Sequence, residues 1–221
     1  SLPNWHYFAD RGLFVFRSDW NTDAMYFASK CGPMWGGHEH PDAGTFVLYR
    51  DGVPFVAPTH YILQHTTKDE NILTVNGRGP AGGKTNGYAD PSPPERWGET
   101  LTAFGSPDYF NVLANPAPAY DLAAGLECYT REFVGFDDMV ILRDKAHASA
   151  PASFVHQLHG YKTYPQEQPA KRYDPYQYNL DYVFRQQSTP RHWRMNANES
   201  NLPGAYLHIR DLSPSVYPWS V

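Results

Sequence analysis

Gly44-Thr45-Phe46-Val47-Leu48-Tyr49-Arg50-Asp51-Gly52-Val53-Pro54-Phe55-Val56 is the stretch that decides the fold class of this chain. A β-branched and aromatic run reaches Asp-Gly, and a second such run follows. Asp-Gly suits the tight turns whose central residues take positive φ, so the stretch predicts a β-hairpin. Similar runs recur on both sides of it. Residues 12–17 and 24–28 predict two neighbouring strands joined through residues 18–23. Residues 71–77 form another β-branched run that closes on Asn76-Gly77, and further runs occupy 128–134, 138–143, 153–159 and 204–210. No segment carries a sustained 3.6-residue apolar period, and only residues 119–126, with Leu122 and Leu126 four apart, suggest a helical turn. The expectation is an all-β chain, an antiparallel β-sandwich with few or no helices.

Two stretches break the strand pattern. Residues 78–98 hold Gly79, Pro80, Gly82, Gly83, Gly87, Pro91, Pro93 and Pro94, which predicts a long surface loop. Residues 161–178 mix Tyr, Pro, Gln and Lys without periodicity. Long loops on a sheet scaffold often bind ligands. There is no internal repeat and no low-complexity tract, so residues 1–221 are read as a single domain.

Composition narrows the function classes. The 221 residues carry 18 basic and 23 acidic side chains, a net charge of −5, which argues against a phosphate footprint and hence against nucleic acid. The 6 Trp, 16 Tyr and 12 Phe supply enough apolar surface to argue against disorder. No apolar run is long enough for a membrane-spanning helix. Cys31 and Cys128 lie far apart and outside any C-x-x-C pair, which leaves a single long-range bridge or two buried thiols. The chain has no Gly-rich phosphate cradle and no G-x-S-x-G elbow.

The chemistry-bearing residues cluster ahead of the hairpin, in Gly36-Gly37-His38-Glu39-His40-Pro41-Asp42-Ala43-Gly44. In an extended segment His38, His40 and Asp42 would share one face. Two imidazoles and a carboxylate can hold a divalent metal, or they can move protons near neutral pH. An exposed polar loop at a strand start is the plainer alternative. Glu70 would be a third metal ligand if its strand lay beside His40, while solvation of residues 68–70 is the simpler reading. His60 and His65 flank Tyr61-Ile62-Leu63-Gln64, and alternation places His156 and His159 on opposite faces.

The run from Gly37 to Tyr49, followed by Asp51-Gly52-Val53-Pro54-Phe55, resembles the C-terminal β-sheet domain of heparinase II/III-type polysaccharide lyases. Leu2-Pro3, Gly12-Leu13 and Arg17-Ser18-Asp19-Trp20 resemble the opening of that domain, and Asn71 to Gly77 resembles its strand after a His-Asn step. Pro118-Ala119-Tyr120, residues 131–144 and Leu158-His159 follow in the expected order. The resemblance implies a lyase that cleaves uronic-acid-containing polysaccharide by β-elimination, in a cleft shared with a helical α/α toroid domain that supplies a catalytic Tyr. It implies a catalytic role for His38, substrate contacts from Trp35, Glu39 and Asn71, and a secreted, periplasmic or extracellular location.

The resemblance also implies a zinc site, from which this sequence departs. His40 matches one ligand, but Ala57 stands where the family has Asp, and Glu70-Asn71 replaces His-Asn. Zn2+ is then either lost or held by His40 and Glu70 with a further group, His60 or Asp42. No toroid is present in these 221 residues, so the chain is expected to be the C-terminal part of a larger lyase and inactive alone. A carbohydrate-binding or structural β-sandwich without catalysis is the competing reading, supported by the supply of Trp and Tyr, Trp97 included.

Overall fold

The computed structural model describes residues 2–34, 40–58, 67–80, 94–136 and 139–159. For residues 185–186, 192–196 and 206–210 it describes the backbone alone. Among them the chain is all-β and antiparallel, with only 3-10 turns for helix. Strands β1 (Trp5–Phe8), β2 (Leu13–Arg17), β3 (Tyr26–Lys30), β4 (Thr45–Arg50) and β5 (Val53–Val56) form a five-stranded meander in sequence order. Strand β6 (Leu73–Val75) pairs with β11 (Phe154–His156). A second meander holds β7 (Glu99–Ser106), β8 (Tyr109–Asn115), β9 (Leu126–Phe136) and β10 (Met139–Ala148). Strands β12 (Arg185–Gln186), β13 (His192–Asn196) and β14 (Tyr206–Arg210) make a three-stranded sheet.

The two large meanders face one another across an aromatic core. Alternation along β2 turns Phe14 and Phe16 inward, and the same period in β8 and β9 turns Phe110, Val112 and Phe133 inward. Phe27 sits at the centre, with ring centroids 4.5 Å from Phe110 and 5.1 Å from Phe133. Fully burying an aromatic side chain is worth about 1.5–3 kcal/mol, so this cluster dominates the cohesion of the sandwich.

The Asp51-Gly52 hairpin forms as its sequence predicts, with φ of 52° and 70° at the two turn residues. A register shift beside Leu48 and Tyr49 marks an irregularity in the β4–β5 pairing, and Pro54 takes part at the edge. Residues 119–126 become short 3-10 turns at Ala117–Ala119 and Leu122–Ala124. Strands β1, β7, β8, β12 and β13 fall outside the sequence expectation. β7 is an edge strand that is exposed over most of its length, so its apolar residues are sparse and its alternation is weak. Of the expected loops, residues 81–93 and all of 161–178 lie outside the described residues.

The cysteines are unbridged: Cys31 is buried and Cys128 is exposed, which corrects the expectation of two buried thiols. Burial, reinforced by the Asp42 charge, pushes the Cys31 thiol up to about 12, so it stays protonated as a small core residue.

Candidate functional site

Residues 40–44 do not run straight. Asp42 N donates to the carbonyl of His40, Thr45 N donates to that of Asp42, and Gly44 takes φ of 90°. These turns, with Pro41 between them, break the alternation expected of an extended segment. Asp42 is carried to Lys30 on β3, where its two oxygens lie 3.0 and 2.8 Å from Nζ. His40 meets a different acid: its Nδ1 is 3.5 Å from Glu70 Oε1.

Glu70 is 2% exposed, so the solvated reading of residues 68–70 fails at this position. Thr45, the first residue of β4, explains how the carboxylate is tolerated. Its hydroxyl donates to Glu70 Oε2 at 2.7 Å and accepts from the backbone N–H of Asn71 at 3.2 Å. One oxygen of Glu70 therefore takes the threonine hydroxyl while the other faces the imidazole. The Glu70 hydrogen bond raises His40 above its usual pKa, and partial burial opposes that rise. The result is an oriented imidazole with an increased preference for its proton.

Asn71 lies beneath this pair and is fully buried. Its Nδ2 donates to Phe46 O at 2.9 Å, and its Oδ1 accepts from His159 N at 2.7 Å. The carbonyl of His159 in turn accepts from Ala57 N. Asn71 thus stitches β4 to the segment after β11, while Ala57, also buried, contributes no side-chain donor.

Sequence reasoning missed the group that anchors all of this. Arg131 on β9 is 1% exposed, and its Nη1 donates to the carbonyls of Gly44 and Asn71 at 2.8 and 2.9 Å. Its Nε and Nη2 grip Asp144 on β10 at 2.8 and 2.7 Å. Tyr129 donates to the same carboxylate at 3.1 Å, and His156 Nδ1 lies 3.3 Å from it. A usable signal existed: Arg131 occupies an inward position between Tyr129 and Phe133, and the β9–β10 register sets it opposite Asp144. A charge on an inward face implies a buried partner.

Of the expected site residues, the structure brings His40, Glu70 and Asn71 together. Trp35, His38, Glu39 and His60 lie outside the described residues. Among the described residues, no group of three or more His, Cys, Asp or Glu is disposed to hold a metal ion. His40 and Glu70 offer two donors, and Asp42 is engaged by Lys30. A protein zinc site takes at least three ligands, so the described residues do not by themselves fit one.

Comparison with known proteins follows the same outline. No family model matches the chain. A heparin-sulfate lyase from Bacteroides stercoris is 47% identical over 45 residues, which is 20% of this chain and 7% of that protein. The structure of heparinase III with methylated lysines aligns with a TM-score of 0.52 at 20% identity, covering 68% of this chain and 23% of that one. The heparan sulfate lyase HepC from Pedobacter heparinus aligns with a TM-score of 0.50 at 17% identity, covering 66% and 22%. The fold is that of a heparinase-like β domain. This heparinase-like domain spans less than a quarter of the length of the solved relatives it matches. No helix among its described residues is long and apolar enough to cross a membrane.

Proposed function

We propose that this heparinase-like domain forms one wall of a polysaccharide lyase cleft and contributes His38 to β-elimination on a uronic-acid-containing polysaccharide. The observation that carries the reading is the His40–Glu70–Thr45 frame, built into a heparinase-like fold two residues after His38 in sequence. In this reaction a base takes the proton from C5 of the uronate, and the electron pair forms the C4–C5 double bond. The C4–O4 bond breaks, and an acid returns a proton to O4. The chemistry needs an imidazole or phenol placed for proton transfer and a partner for the uronate carboxylate.

In this proposal His38 handles a proton or steadies the carboxylate, and an α/α toroid domain supplies the remaining groups, including a Tyr. Trp35 and Glu39 touch the sugar, and buried Asn71 braces the wall by tying β4 to the segment after β11. His40, held against Glu70, lies two residues after His38 in sequence. No step is routed through a metal; His60 is the further group that the sequence offers beside His40 and Glu70 for zinc, and elemental analysis of the purified chain tests whether the metal is bound. Secretion to the periplasm or cell exterior fits a polymeric substrate.

The test is elimination by the protein assembled with its toroid, followed by the ultraviolet absorbance of the unsaturated product. His38→Ala abolishes that signal while the fold persists. Undiminished turnover in the variant would overturn the assignment.

A further inference from the structure

The face of the five-stranded sheet opposite the aromatic core carries a second cluster. Arg17, Tyr26 and Tyr49 stand in one row across β2, β3 and β4. The period of two puts this row on the same face as Lys30 and Thr45, four residues further along β3 and β4. The row is therefore roughly 13 Å along the sheet from Thr45, the residue whose hydroxyl holds Glu70. Tyr26 and Tyr49 are half-buried and meet edge-to-face, with ring centroids 6.0 Å apart.

Arg17 extends the row towards Trp20, its guanidinium carbon 5.2 Å from the indole centroid. Arg17 Nε and Nη2 donate to the carbonyls of Asp19 and Asn21, which fixes the guanidinium plane. Those partners are neutral carbonyls, and among the described residues no carboxylate forms a salt bridge with Arg17. The Asp19 carboxylate accepts from the N–H of Asn21. Trp20 is 54% exposed, yet it is pinned by its Nε1–H donating to Leu2 O. A large indole held half in water, with a fixed cation beside it and phenols beyond, is a pre-ordered surface that combines ring faces with a positive charge. An acidic sugar matches that surface: its C–H face lies on aromatic rings, and its carboxylate or sulfate pairs with a planar guanidinium.

We propose that Trp20, Arg17, Tyr26 and Tyr49 form a binding strip for an acidic sugar unit, set off from the His40–Glu70 frame along the same sheet face. The identity of the polymer rests on the lyase reading; the contact itself does not. The strip holds the chain at a distance from the bond being broken, so it acts on affinity and not on proton transfer.

The experiment is direct titration of this chain with heparan sulfate oligosaccharides, with uncharged dextran oligosaccharides as control. The wild-type chain binds the acidic oligosaccharide and not dextran, with an affinity that weakens as salt rises. Arg17→Gln weakens binding about tenfold and flattens the salt dependence, Arg17→Lys recovers part of the loss, and Trp20→Ala weakens it about tenfold. Unfolding midpoints matching the wild type separate these effects from misfolding, and Trp20→Ala touches little besides the strip. Failure of the wild-type chain to bind, equal binding of dextran, or unchanged affinity in both variants would overturn the strip. Weakened binding beside undiminished turnover in His38→Ala would retain the strip and refute the lyase reading. Unchanged binding beside abolished turnover would do the reverse.

Discussion

A guanidinium taken out of water loses several kcal/mol of hydration unless its donors are met, and Arg131 meets them with two carbonyls and a paired carboxylate. Burial alone would raise the Asp144 pKa, but the charge and paired bonds of Arg131 outweigh it and hold the folded carboxyl below its ordinary 3.8. As pH falls, the unfolded chain therefore takes up this proton before the folded one does. The stabilisation is complete above the unfolded value and is lost as pH drops through the folded value. Asp144→Asn is expected to cost about 3–5 kcal/mol at neutral pH, because it leaves a buried charge poorly compensated. It should also remove this step from the acid limb of a stability–pH profile measured by urea unfolding; a limb parallel to that of the wild type would contradict the assignment. Thr45 is the second critical residue. Thr45→Val keeps the shape but withdraws the hydroxyl from Glu70 and from the N–H of Asn71. The expected loss in the same urea measurement is about 1–3 kcal/mol.

At the scale of elements, the β8–β9 pairing shows how tightly the meander is specified. Gly135 faces Phe110 in the register, and a Cβ built at Gly135 would lie 2.0 Å from Cε1 of that ring. The glycine therefore makes room for the ring. Gly135→Ala should destabilise by about 1–3 kcal/mol, and Phe110→Leu in the same chain should cost less there than in the wild-type background. A double-mutant cycle read by thermal unfolding checks this, and strict additivity would count against it. The central hairpin was legible from sequence, because Asp51-Gly52 announced both β4 and β5. The opposition of Arg131 and Asp144 across β9 and β10 was not, because it depends on a register that the residue types do not state. β7 was not legible, because an exposed edge strand has little apolar pattern to read.

For the molecule as a whole, Phe27 joins the sheets. Its ring lies against Phe14 and Phe46 on its own sheet and against Phe110 and Phe133 on the other. Phe27→Ala should cost about 3–5 kcal/mol. Since neither sheet keeps a buried face without the other, far- and near-ultraviolet circular dichroism should report one coincident transition in both proteins. Separate transitions would show that the sheets are independent.

The sequence by itself determined the all-β class, the central hairpin, and the concentration of imidazoles and carboxylates before β4, because turn chemistry and alternation are local properties. It also carried the resemblance to heparinase-type lyases, which the likeness in fold supports. Tertiary structure alone decided which acid each basic group meets. On paper Asp42 shared a face with His40, Glu70 would meet it only if its strand lay alongside, and Asn71 was expected to touch substrate. Turns through residues 40–44 sent Asp42 to Lys30, and the packing of the segment before β6 against β4 buried Glu70 against Thr45. Arg131 closed the arrangement from the opposite sheet, far away in sequence. Pairings of that kind depend on where separate strands meet across a core, and no local pattern of residue types encodes them.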